Sequence, residues 1–507
     1  MFARAYGATT MGVEGIIINV EIDCSPGLPC FDMVGLPDAA VKEAKERVRT
    51  GIKNSGIKLN AEKVTVNLAP AAIRKDSAGL DLPIAVALLK AYKVLQGDEM
   101  EKYVFAAELS LAGECRSISG VLPMAIKAKE AGFEGIFVSP ANVNEALLVD
   151  DLKVYSVANV AELVEYLSGR KELRPAEKTD EVHLEEIEED FADVQGQFLA
   201  KRAFEIAAAG GHNLLMVGSP GAGKTMLARR MSSILPQMEP KEALEVTKIY
   251  SIAGMLKNNS GLITVRPFRA PHHTISSSAM VGGGVIPRPG EVTLSHNGVL
   301  FLDELPEFSK QSLEVLRQPI EDGSLTISRV NASLTYPSRF MLIAALNPCP
   351  CGFYGDKEKH CNCSFTEIKR YTRRISGPLL DRIDIHLQVP RVTYKELNES
   401  RKEESSAEIR KRVEEARKRQ LSRFREKNIV CNAQMSHAVL KEMCRITKPA
   451  QNMMERAFKE QGMSARSYDR IIKVAQTIAD LDKSDIIDVK HMAEAIQFRS
   501  NILKLAD

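Results

Sequence analysis

Apolar and polar positions along the first 170 residues follow two different periods. The runs GIIINVEID, KVTVNLAP and GIFVSP are short, apolar and rich in β-branched residues, which is typical of strands. The stretches PDAAVKEAKERVRTGIKNSG and LPMAIKAKEAG repeat apolar residues at helical spacing. Residues 1–170 are therefore predicted to form an α+β domain.

The pattern changes three times after this first domain. Residues 171–190 are charged and poor in apolar residues, which predicts an interdomain linker. Residues 191–392 again alternate apolar strands with helical stretches, which predicts an α/β core. From 393 to 507 the chain is charge-rich and helical, as in AEIRKRVEEARKRQLSRFREK, so a helical C-terminal domain is expected.

Composition adds little to this division. The chain has 507 residues, 44% hydrophobic and 26% charged, with a formal net charge of +2. These values are ordinary for a soluble globular protein, so any basic surface must be local. There is no secretory signal pattern and no apolar run of about 18 residues. The nine cysteines, four of them clustered, do not suggest a disulfide framework, so we expect a cytoplasmic protein without a membrane segment.

A glycine-rich loop in NLLMVGSPGAGKTMLARRM lies between an apolar strand and a helix. This is the G-x-x-x-x-G-K-[ST] pattern in its strand–loop–helix context, which predicts an ATP site. Lys224 is expected to bind the β- and γ-phosphates, and the Thr225 hydroxyl to ligate Mg²⁺. The residues assigned to nucleotide binding here are Gly218, Ser219, Pro220, Gly221, Ala222, Gly223, Lys224, Thr225 and Met226.

A second motif, NGVLFLDELPEF, follows about 80 residues later. Its apolar strand ends in Asp303 and Glu304. Asp303 fits a Mg²⁺ partner, and Glu304 fits the general base that activates the attacking water. An apolar run ending in two acids is common by itself, so the assignment depends on the preceding loop.

Three further stretches carry polar residues that suit nucleotide hydrolysis. FMLIAALNPCP places Asn347 at the end of an apolar strand. The alternative to a role in hydrolysis is an asparagine that forms a turn or caps a helix. SGPLLDRIDIHLQVPRV places Arg382 before a strand, and an arginine reaching a neighbour's γ-phosphate contributes about 10³ to 10⁵ in rate. SARSYDRIIKVAQTIADL offers Arg466, with Arg470 one turn later as the alternative.

These motifs, in this order, resemble the magnesium-chelatase-like branch of the AAA+ ATPases. The stretches DFADVQGQFLAKRAFEIAAAGGHNLLMVGSPGAGKTMLA, FRAPHHTISSSAMVGGG and PGEVTLSHNGVLFLDELPEF are similar to those of the bacterial YifB/ComM family. The resemblance covers nearly the whole chain and implies a P-loop AAA+ core, a helical lid and a hexameric ring. It implies that Asn347 is sensor 1, Arg382 the arginine finger and Arg466 sensor 2, with Val194 and Gln195 near the adenine.

The N-terminal domain resembles the S5/Lon-protease-like fold in RKDSAGLDLPIAVALL and GECRSISGVLPMAIKAKEAGFEGIFVSP. Lon proteases use a Ser–Lys dyad, and Ser77 stands where the nucleophile would be. Leu122 stands where the lysine should be, and a serine without its base is a poor nucleophile. We therefore expect no protease activity, with Lys75 and Lys127 as the lysines to test.

Four cysteines form a C-x-C-x9-C-x-C pattern, at Cys349, Cys351, Cys361 and Cys363, just after Asn347. Four thiolates give a closed tetrahedral shell that suits structural Zn²⁺. His360 could replace one ligand. The alternatives are free thiols, a redox role or an iron–sulfur cluster. A pair of disulfides is a weaker alternative, because a reducing compartment disfavours disulfides.

Candidate DNA contacts lie in two stretches. GSLTISRVNASLTYPSRF predicts a hairpin with Arg329 near its tip, which would project into the pore of a ring. RPFRAPHHTISSSAMVGGGVIPRPGEV carries basic or titratable residues that could bind phosphates without sequence specificity. These residues are Arg266, Arg269, His272, His273 and Arg288.

Three functions remain open on the sequence. The resemblance favours an ATP-driven hexameric motor of the ComM type, which moves branched DNA during natural transformation, with recombination proteins as further partners. The second is a motor subunit of a metal chelatase, and the third is a non-motor assembly protein. The expected cofactors are ATP, Mg²⁺ and a structural Zn²⁺, and the expected partners are further copies of the chain and single-stranded or branched DNA.

Overall fold

The computed structural model describes most of the chain. The described residues are 1–36, 38–60, 62–73, 75, 78–178, 189–256, 261–284, 288–329, 332–356, 358–392, 403–427 and 429–499. No helix within these ranges is long and apolar enough to cross a bilayer.

A seven-stranded mixed sheet organises the N-terminal region, in the order β3-β4-β2-β1-β5-β8-β9. Antiparallel pairing joins β1 to β2 and β2 to β4, whereas β1, β5, β8 and β9 pair in parallel. The strands are β1 (Phe2–Met11), β2 (Glu14–Ser25), β3 (Cys30–Val34), β4 (Lys63–Ala69), β5 (Tyr103–Ala106), β6 (Glu108–Leu109), β7 (Cys115–Arg116), β8 (Gly135–Val138) and β9 (Lys153–Ser156). The helices are α1 (Ala39–Asn54), α2 (Asp81–Ala91), α3 (Val121–Glu130), α4 (Val143–Ala146) and α5 (Val160–Leu167).

Helices cover both faces of this sheet. Helices α1, α2 and α5 pack in one apolar cluster, and α3 packs in a second cluster with Val104, Ile136 and Val154. The strands and helices expected from GIIINVEID, KVTVNLAP, GIFVSP and the two amphipathic stretches are therefore confirmed.

Five parallel strands form the second sheet, in the order β11-β14-β17-β10-β18. The strands here, including two antiparallel pairs outside the sheet, are β10 (Leu214–Val217), β11 (Phe268–Arg269), β12 (Gly282–Gly283), β13 (Arg288–Pro289), β14 (Val299–Leu302), β15 (Ser324–Arg329), β16 (Ala332–Pro337), β17 (Met341–Leu346) and β18 (Ile385–Gln388). The helices are α6 (Phe198–Gly210), α7 (Lys224–Arg229), α8 (Met231–Ile234), α9 (Pro240–Ile252), α10 (Ser277–Val281), α11 (Glu291–Leu294), α12 (Lys310–Glu314), α13 (Arg317–Asp322), α14 (Phe365–Thr372) and α15 (Gly377–Leu380).

Alternate residues of the central strands point into two separate cores. Leu214 and Met216 of β10 belong to one apolar cluster, whereas Leu215 and Val217 belong to another. Strands buried on both faces read as continuous apolar runs, and LLMV, VLFL and MLIAAL have that composition.

The C-terminal region is mainly helical and packs on the α6 side of this sheet. Its elements are α16 (Ser406–Arg423), α17 (His437–Met443), β19 (Arg445–Ile446), α18 (Lys448–Gln461), α19 (Ala465–Leu481), β20 (Ile486–Ile487) and α20 (Val489–Gln497). Short 3₁₀ helices complete the described structure, at Ala78–Leu80, Glu99–Lys102, Pro140–Asn142, Phe191–Asp193, Leu305–Glu307 and Asn432–Gln434. The whole is a mixed α/β multidomain architecture, as expected.

The N-terminal region docks on the second region through α9. The buried carboxylate of Glu145 accepts hydrogen bonds from the Leu122 amide at 2.8 Å and from the Ser251 hydroxyl at the end of α9. The Gly120 amide donates to the Ser251 carbonyl at 3.0 Å. Part of the expected linker also packs, because the Ala176 amide donates to the Val154 carbonyl at 2.7 Å, whereas residues 179–188 lie outside the described ranges.

Candidate active site

The two ATP motifs and Asn347 meet at one edge of the second sheet. The glycine-rich loop follows β10, Asp303 follows β14 and Asn347 follows β17, which lies between those two strands. Carboxyl ends of parallel strands share an edge, and ligands of open α/β sheets bind there. The loop needs glycine at Gly221 and Gly223, whose φ angles are +81° and +87°.

Lys224 lies inside its own loop. Its Nζ donates to the carbonyls of Gly218 at 2.6 Å and Ser219 at 3.1 Å, and to Asn347 Oδ1 at 3.0 Å. Burial lowers the pKa of Lys224, although Asp303 and Glu304 oppose that shift. A phosphate anion in this loop would compensate the buried charge, so the arrangement fits a nucleotide.

The Thr225 hydroxyl and the Asp303 carboxylate lie close enough together to bind the same divalent cation. The Thr225 hydroxyl donates to Asp303 Oδ2 at 2.6 Å. Hydroxyl and carboxylate oxygens are the ligands that Mg²⁺ accepts beside nucleotide phosphates. These two side chains would hold a magnesium ion at the end of β14.

Glu304 is held in an uncommon backbone conformation. Its φ is +52°, in the left-handed region that non-glycine residues seldom adopt, and its amide donates to Asp303 Oδ1 at 2.9 Å. Glu304 Oε2 lies 3.4 Å from Nδ1 of His273, whose ring stacks on that of His272 with centroids 4.1 Å apart. Such strain accompanies functional positions, and the sequence placed His273 among DNA contacts rather than beside the expected base.

The segment expected near the adenine flanks the P-loop helix. Arg230, at the end of α7, donates to the Asp190 carbonyl at 2.7 Å. Val194 is fully buried in the apolar core, whereas Gln195 Oε1 is buried and has no hydrogen-bond partner within the described residues. Met226 is 37% exposed beside the loop. Gln195 therefore keeps an unsatisfied acceptor, which an adenine amino group could satisfy.

The four cysteines converge. Their Sγ atoms all lie within 4.8 Å of one another, and Cys349 Sγ is 3.3 Å from that of Cys351 and 3.6 Å from that of Cys361. Burial raises the pKa of Cys349 to about 12. Burial opposes ionisation of Cys351 as well, but the amide of Phe353 and the Cys349 thiol outweigh it and lower the pKa to about 6. All nine cysteines are free thiols, so the disulfide alternative has no support here.

The cysteine loop contacts the glycine-rich loop, which the sequence did not indicate. Ser219 Oγ donates to Asp356 Oδ2 at 2.6 Å, and Arg391 Nε lies 3.2 Å from the same carboxylate oxygen. The hydroxyl of Ser219 is the largest cause that lowers the pKa of Asp356 to about 2. Asp356 lies in a glycine- and charge-rich loop, and its sequence neighbours do not distinguish it from a solvated carboxylate.

Arg382 and Arg470 lie at the amino ends of β10 and β18, opposite the sheet edge that carries the glycine-rich loop. Arg382 precedes β18, is 6% exposed, and its Nη2 lies 2.6 Å from Glu321 Oε1. Arg470 forms an ion pair with Asp384, also before β18. Arg466 lies one turn earlier in α19 and is exposed. Arg382 and Arg470 therefore do not stand beside the Lys224 of their own chain.

The candidate DNA contacts differ in their freedom to bind phosphate. Arg266 is bound to Glu242 at 2.7 Å, and Arg269 is bound to Glu291 through two 2.7 Å hydrogen bonds. Both are structural ion pairs, so free phosphate contacts from them are not supported. Arg288 is exposed. Arg329 ends β15 of the expected hairpin, but its side chain and residues 330–331 lie outside what is described.

Of the residues compared with the Lon dyad, Ser77 lies outside the described ranges. Lys75 is fully buried, and its Nζ donates to the carbonyls of Gly35, at 2.7 Å, and Pro70. Leu122 is fully buried, and Lys127 pairs with Glu130 at 3.0 Å on the surface. Lys75 therefore has a structural role that its position explains.

Family comparisons match three parts of the chain. Residues 190–397 match the family described as magnesium chelatase, subunit ChlI. Residues 20–142 match subunit ChlI of Mg-chelatase, and residues 403–499 match the ChlI C-terminal family. The matches together cover part of the first sheet, all of the second sheet and the C-terminal helices.

Individual relatives narrow the family. The chain is 42% identical to the protein YifB of Escherichia coli over 491 residues, covering 97% of this chain and 95% of that one. It is 41% identical to competence protein ComM of Haemophilus influenzae over 507 residues, covering 99% and 98%. It is 25% identical to the magnesium-chelatase 67 kDa subunit of Chlorobaculum parvum over 164 residues, which cover 31% of this chain and 23% of that one. The chain therefore belongs to the YifB/ComM family of magnesium-chelatase-like proteins.

Proposed function

We propose that this protein is an AAA+ ATPase that works as a DNA motor of the ComM type. The observation that carries the ATPase part is the pair of contacts at one sheet edge: Lys224 with Asn347 at 3.0 Å and Thr225 with Asp303 at 2.6 Å. These contacts assemble a phosphate-binding cation, two metal-binding oxygens and a polar strand end in one place.

The residues divide the hydrolysis among them. Lys224 binds the phosphates and neutralises their charge. Thr225 and Asp303 would hold Mg²⁺, which would supply polarisation of the phosphoryl group. Glu304 takes the proton of the attacking water, since its carboxylate is 54% exposed at the same edge. Asn347 fixes the Lys224 amine from the neighbouring strand.

Hydrolysis in this proposal requires more than one copy of the chain. Arg382 lies at the sheet edge opposite the Lys224 of its own chain, so it would reach the nucleotide of a neighbouring copy. A closed ring of identical chains repeats one such contact between all its members. We therefore propose a homohexamer with Arg382 as the finger and Arg466 as sensor 2.

DNA is the proposed substrate of the motor. The full-length similarity to a competence protein supports this choice. The hairpin of β15 and β16, which ends at Arg329, is the proposed pore element for single-stranded or branched DNA. Branch migration in recombination during natural transformation, in the cytoplasm and beside recombination proteins, is the corresponding cellular role.

The remaining parts support this motor. We propose a structural Zn²⁺ at Cys349, Cys351, Cys361 and Cys363, because four sulfurs within 4.8 Å suit a closed tetrahedral site. We propose an S5/Lon-protease-like N-terminal domain at 1–170 without protease activity, a linker at 171–190, a core at 191–392 and a lid at 393–507.

A metal-chelatase motor subunit is the second candidate. The matches to the ChlI families favour it. The Chlorobaculum subunit, however, matches 31% of this chain, whereas ComM matches 99%. The DNA motor therefore stands first.

The test is ATP-dependent movement of a four-way DNA junction. The wild-type protein is expected to move the junction and Lys224→Ala to fail, whereas Lys241→Ala, at an exposed lysine on α9, serves as the matched control. No movement by a wild-type protein that hydrolyses ATP would refute the DNA role and favour the chelatase reading. A wild-type protein that does not hydrolyse ATP would refute the ATPase part of the proposal, and the DNA motor with it.

A further inference from the structure

The cysteine loop, residues 349–363, is built against the glycine-rich loop rather than projecting from the domain. It begins two residues after Asn347, which already contacts Lys224. Three separate contacts then join it to Ser219 and Pro220. The loop of the proposed metal site and the loop of the proposed phosphate site are therefore in direct contact.

The first contact is a close approach of backbone. Gly352 has a φ of +84°, and a Cβ at this residue would lie 2.5 Å from Pro220 Cδ. Glycine is the residue that tolerates both the left-handed conformation and the missing space. The turn after Cys351 therefore lies directly on the glycine-rich loop.

The second contact is polar and nearly shielded from water. Asp356 Oδ2 accepts the Ser219 hydroxyl at 2.6 Å, and the Asp356 side chain is 4% exposed. Asp356 Oδ1 accepts the amide of Glu358 at 2.9 Å, which fixes the carboxylate within its own turn. Hydrogen bonds to an ionised acceptor are stronger than neutral ones.

The third contact is made by Arg391, which follows β18. The Arg391 guanidinium lies 5.3 Å from the ring centroid of Phe353, in the cysteine loop, and Nη2 donates to the Pro220 carbonyl at 3.3 Å. Its Nε is 3.2 Å from Asp356. One cation thus bridges the cysteine loop and the glycine-rich loop.

Asp356 lies midway between the two cysteine pairs, five residues from Cys351 and five from Cys361. The Tyr354 amide donates to Cys349 Sγ at 3.3 Å, so one sulfur already organises this turn. Sulfur is a weak hydrogen-bond acceptor, whereas metal coordination at all four sulfurs fixes both ends of the segment. A metal at the four sulfurs would therefore fix the segment that carries Asp356 at both ends.

We propose that the metal at the four cysteines holds Asp356 against Ser219 and thereby sets the affinity of the glycine-rich loop for nucleotide. This inference depends on the proposed ATP and metal sites, and it is independent of the DNA role. Metal loading would therefore control ATP binding.

The experiment uses the full-length protein and a fluorescent ATP analogue with Mg²⁺ present. Zinc per chain is measured by mass spectrometry, and the analogue Kd is measured before and after treatment with a zinc-selective chelator. We expect removal of the metal to raise Kd about tenfold and added Zn²⁺ to restore it, a change of about 1.4 kcal/mol. Cys30→Ser, at a cysteine outside the cluster, is the control and should respond as wild type.

Ser219→Ala tests the route of the effect without touching a cysteine. It removes the hydroxyl that reaches Asp356, so metal removal should then raise Kd by about threefold or less. An equal effect of metal removal in Ser219→Ala and wild type would overturn the inference. Circular dichroism of the stripped protein excludes global unfolding as the cause.

Two other results would also overturn the inference, and they differ in meaning. An unchanged Kd after complete metal removal refutes the coupling alone. Tight nucleotide binding by protein that never carries metal refutes the metal site as well, and leaves the ATPase proposal standing. Because the assay contains no DNA, a failed junction experiment does not affect it.

Discussion

The ion pair between Arg470 and Asp384 predicts a large loss of stability when the arginine is removed. Asp384 is 4% exposed, its Oδ1 contacts Arg470, and its Oδ2 accepts the Asn213 amide at 3.1 Å. Burial alone would raise the pKa of Asp384, but Arg470 and His212 outweigh it and hold the pKa well below its usual range. Arg470→Ala would therefore leave a buried carboxylate without its main partner.

Removing one partner of a buried ion pair costs about 3–5 kcal/mol. For a cooperative unit of roughly 300 residues, an unfolding entropy of about 2.1 cal/mol/K per residue makes each kcal/mol shift the melting temperature by about 1.5 °C. We therefore expect Arg470→Ala to lower the transition of the second sheet and the C-terminal helices by about 4–5 °C at the lower limit of that cost. Differential scanning calorimetry measures this shift.

Arg466→Ala is the matched control, because this exposed arginine lies one turn away on the same helix. We expect its melting temperature to stay within about 1–2 °C of wild type, while ATP turnover falls if Arg466 serves a neighbour's nucleotide. Asp384→Asn combined with Arg470→Ala should recover part of the loss, since the neutral amide needs no cation.

The effect should also depend on pH with a defined sign. In the wild type, the depressed pKa of Asp384 contributes stability above the unfolded pKa of about 3.9, and this contribution is lost as the pH falls. In Arg470→Ala, burial favours the protonated carboxyl, so the difference from wild type should shrink between about pH 7 and about pH 5. A difference that is small at neutral pH, or that grows on acidification, would refute this reasoning.

Three further predictions concern single side chains. His273→Ala should lower kcat for ATP about tenfold or more with KM little changed, because His273 orients Glu304; steady-state kinetics checks this, and a change in KM alone would contradict it. Arg382→Ala should still bind ATP but lose turnover by about 10³-fold; normal turnover would remove the finger assignment and leave Arg382 a structural role through Glu321 and the Pro378 carbonyl. Lys75→Met should destabilise the N-terminal region by about 1–3 kcal/mol in a urea titration, because two buried carbonyls lose their donor, and an unchanged midpoint would show that water replaces the amine.

Local pattern was sufficient to predict the strands and the loop that carry the residues of the candidate nucleotide site. The glycine-rich loop and the apolar strand before Asp303 are contiguous in sequence, and the chemistry of each motif lies within a few residues. Because β10, β14 and β17 are parallel neighbours, their carboxyl ends bring Lys224, Asp303 and Asn347 together. The convergence of the cysteines likewise followed from their spacing.

Tertiary contacts between distant residues could not be predicted in the same way. Ser219 and Asp356 are 137 residues apart, and either could equally be solvated. Arg266 and Arg269 looked available to phosphate in sequence, but acids on other helices neutralise them. Charge compensation depends on which residues the fold brings together, and a single sequence does not contain that information.

The docking of the N-terminal region on α9 bears on how the protein can be divided. Val13, in the turn between β1 and β2, packs on the apolar cluster under the β15–β16 hairpin, and Leu244 of α9 packs on the N-terminal cluster. A chain starting at residue 189 would expose both apolar surfaces and would leave Ser251 without the Glu145 carboxylate. Such exposed patches promote aggregation, so loss of activity in the truncated protein would report poor solubility before it reported any role of the N-terminal domain in catalysis.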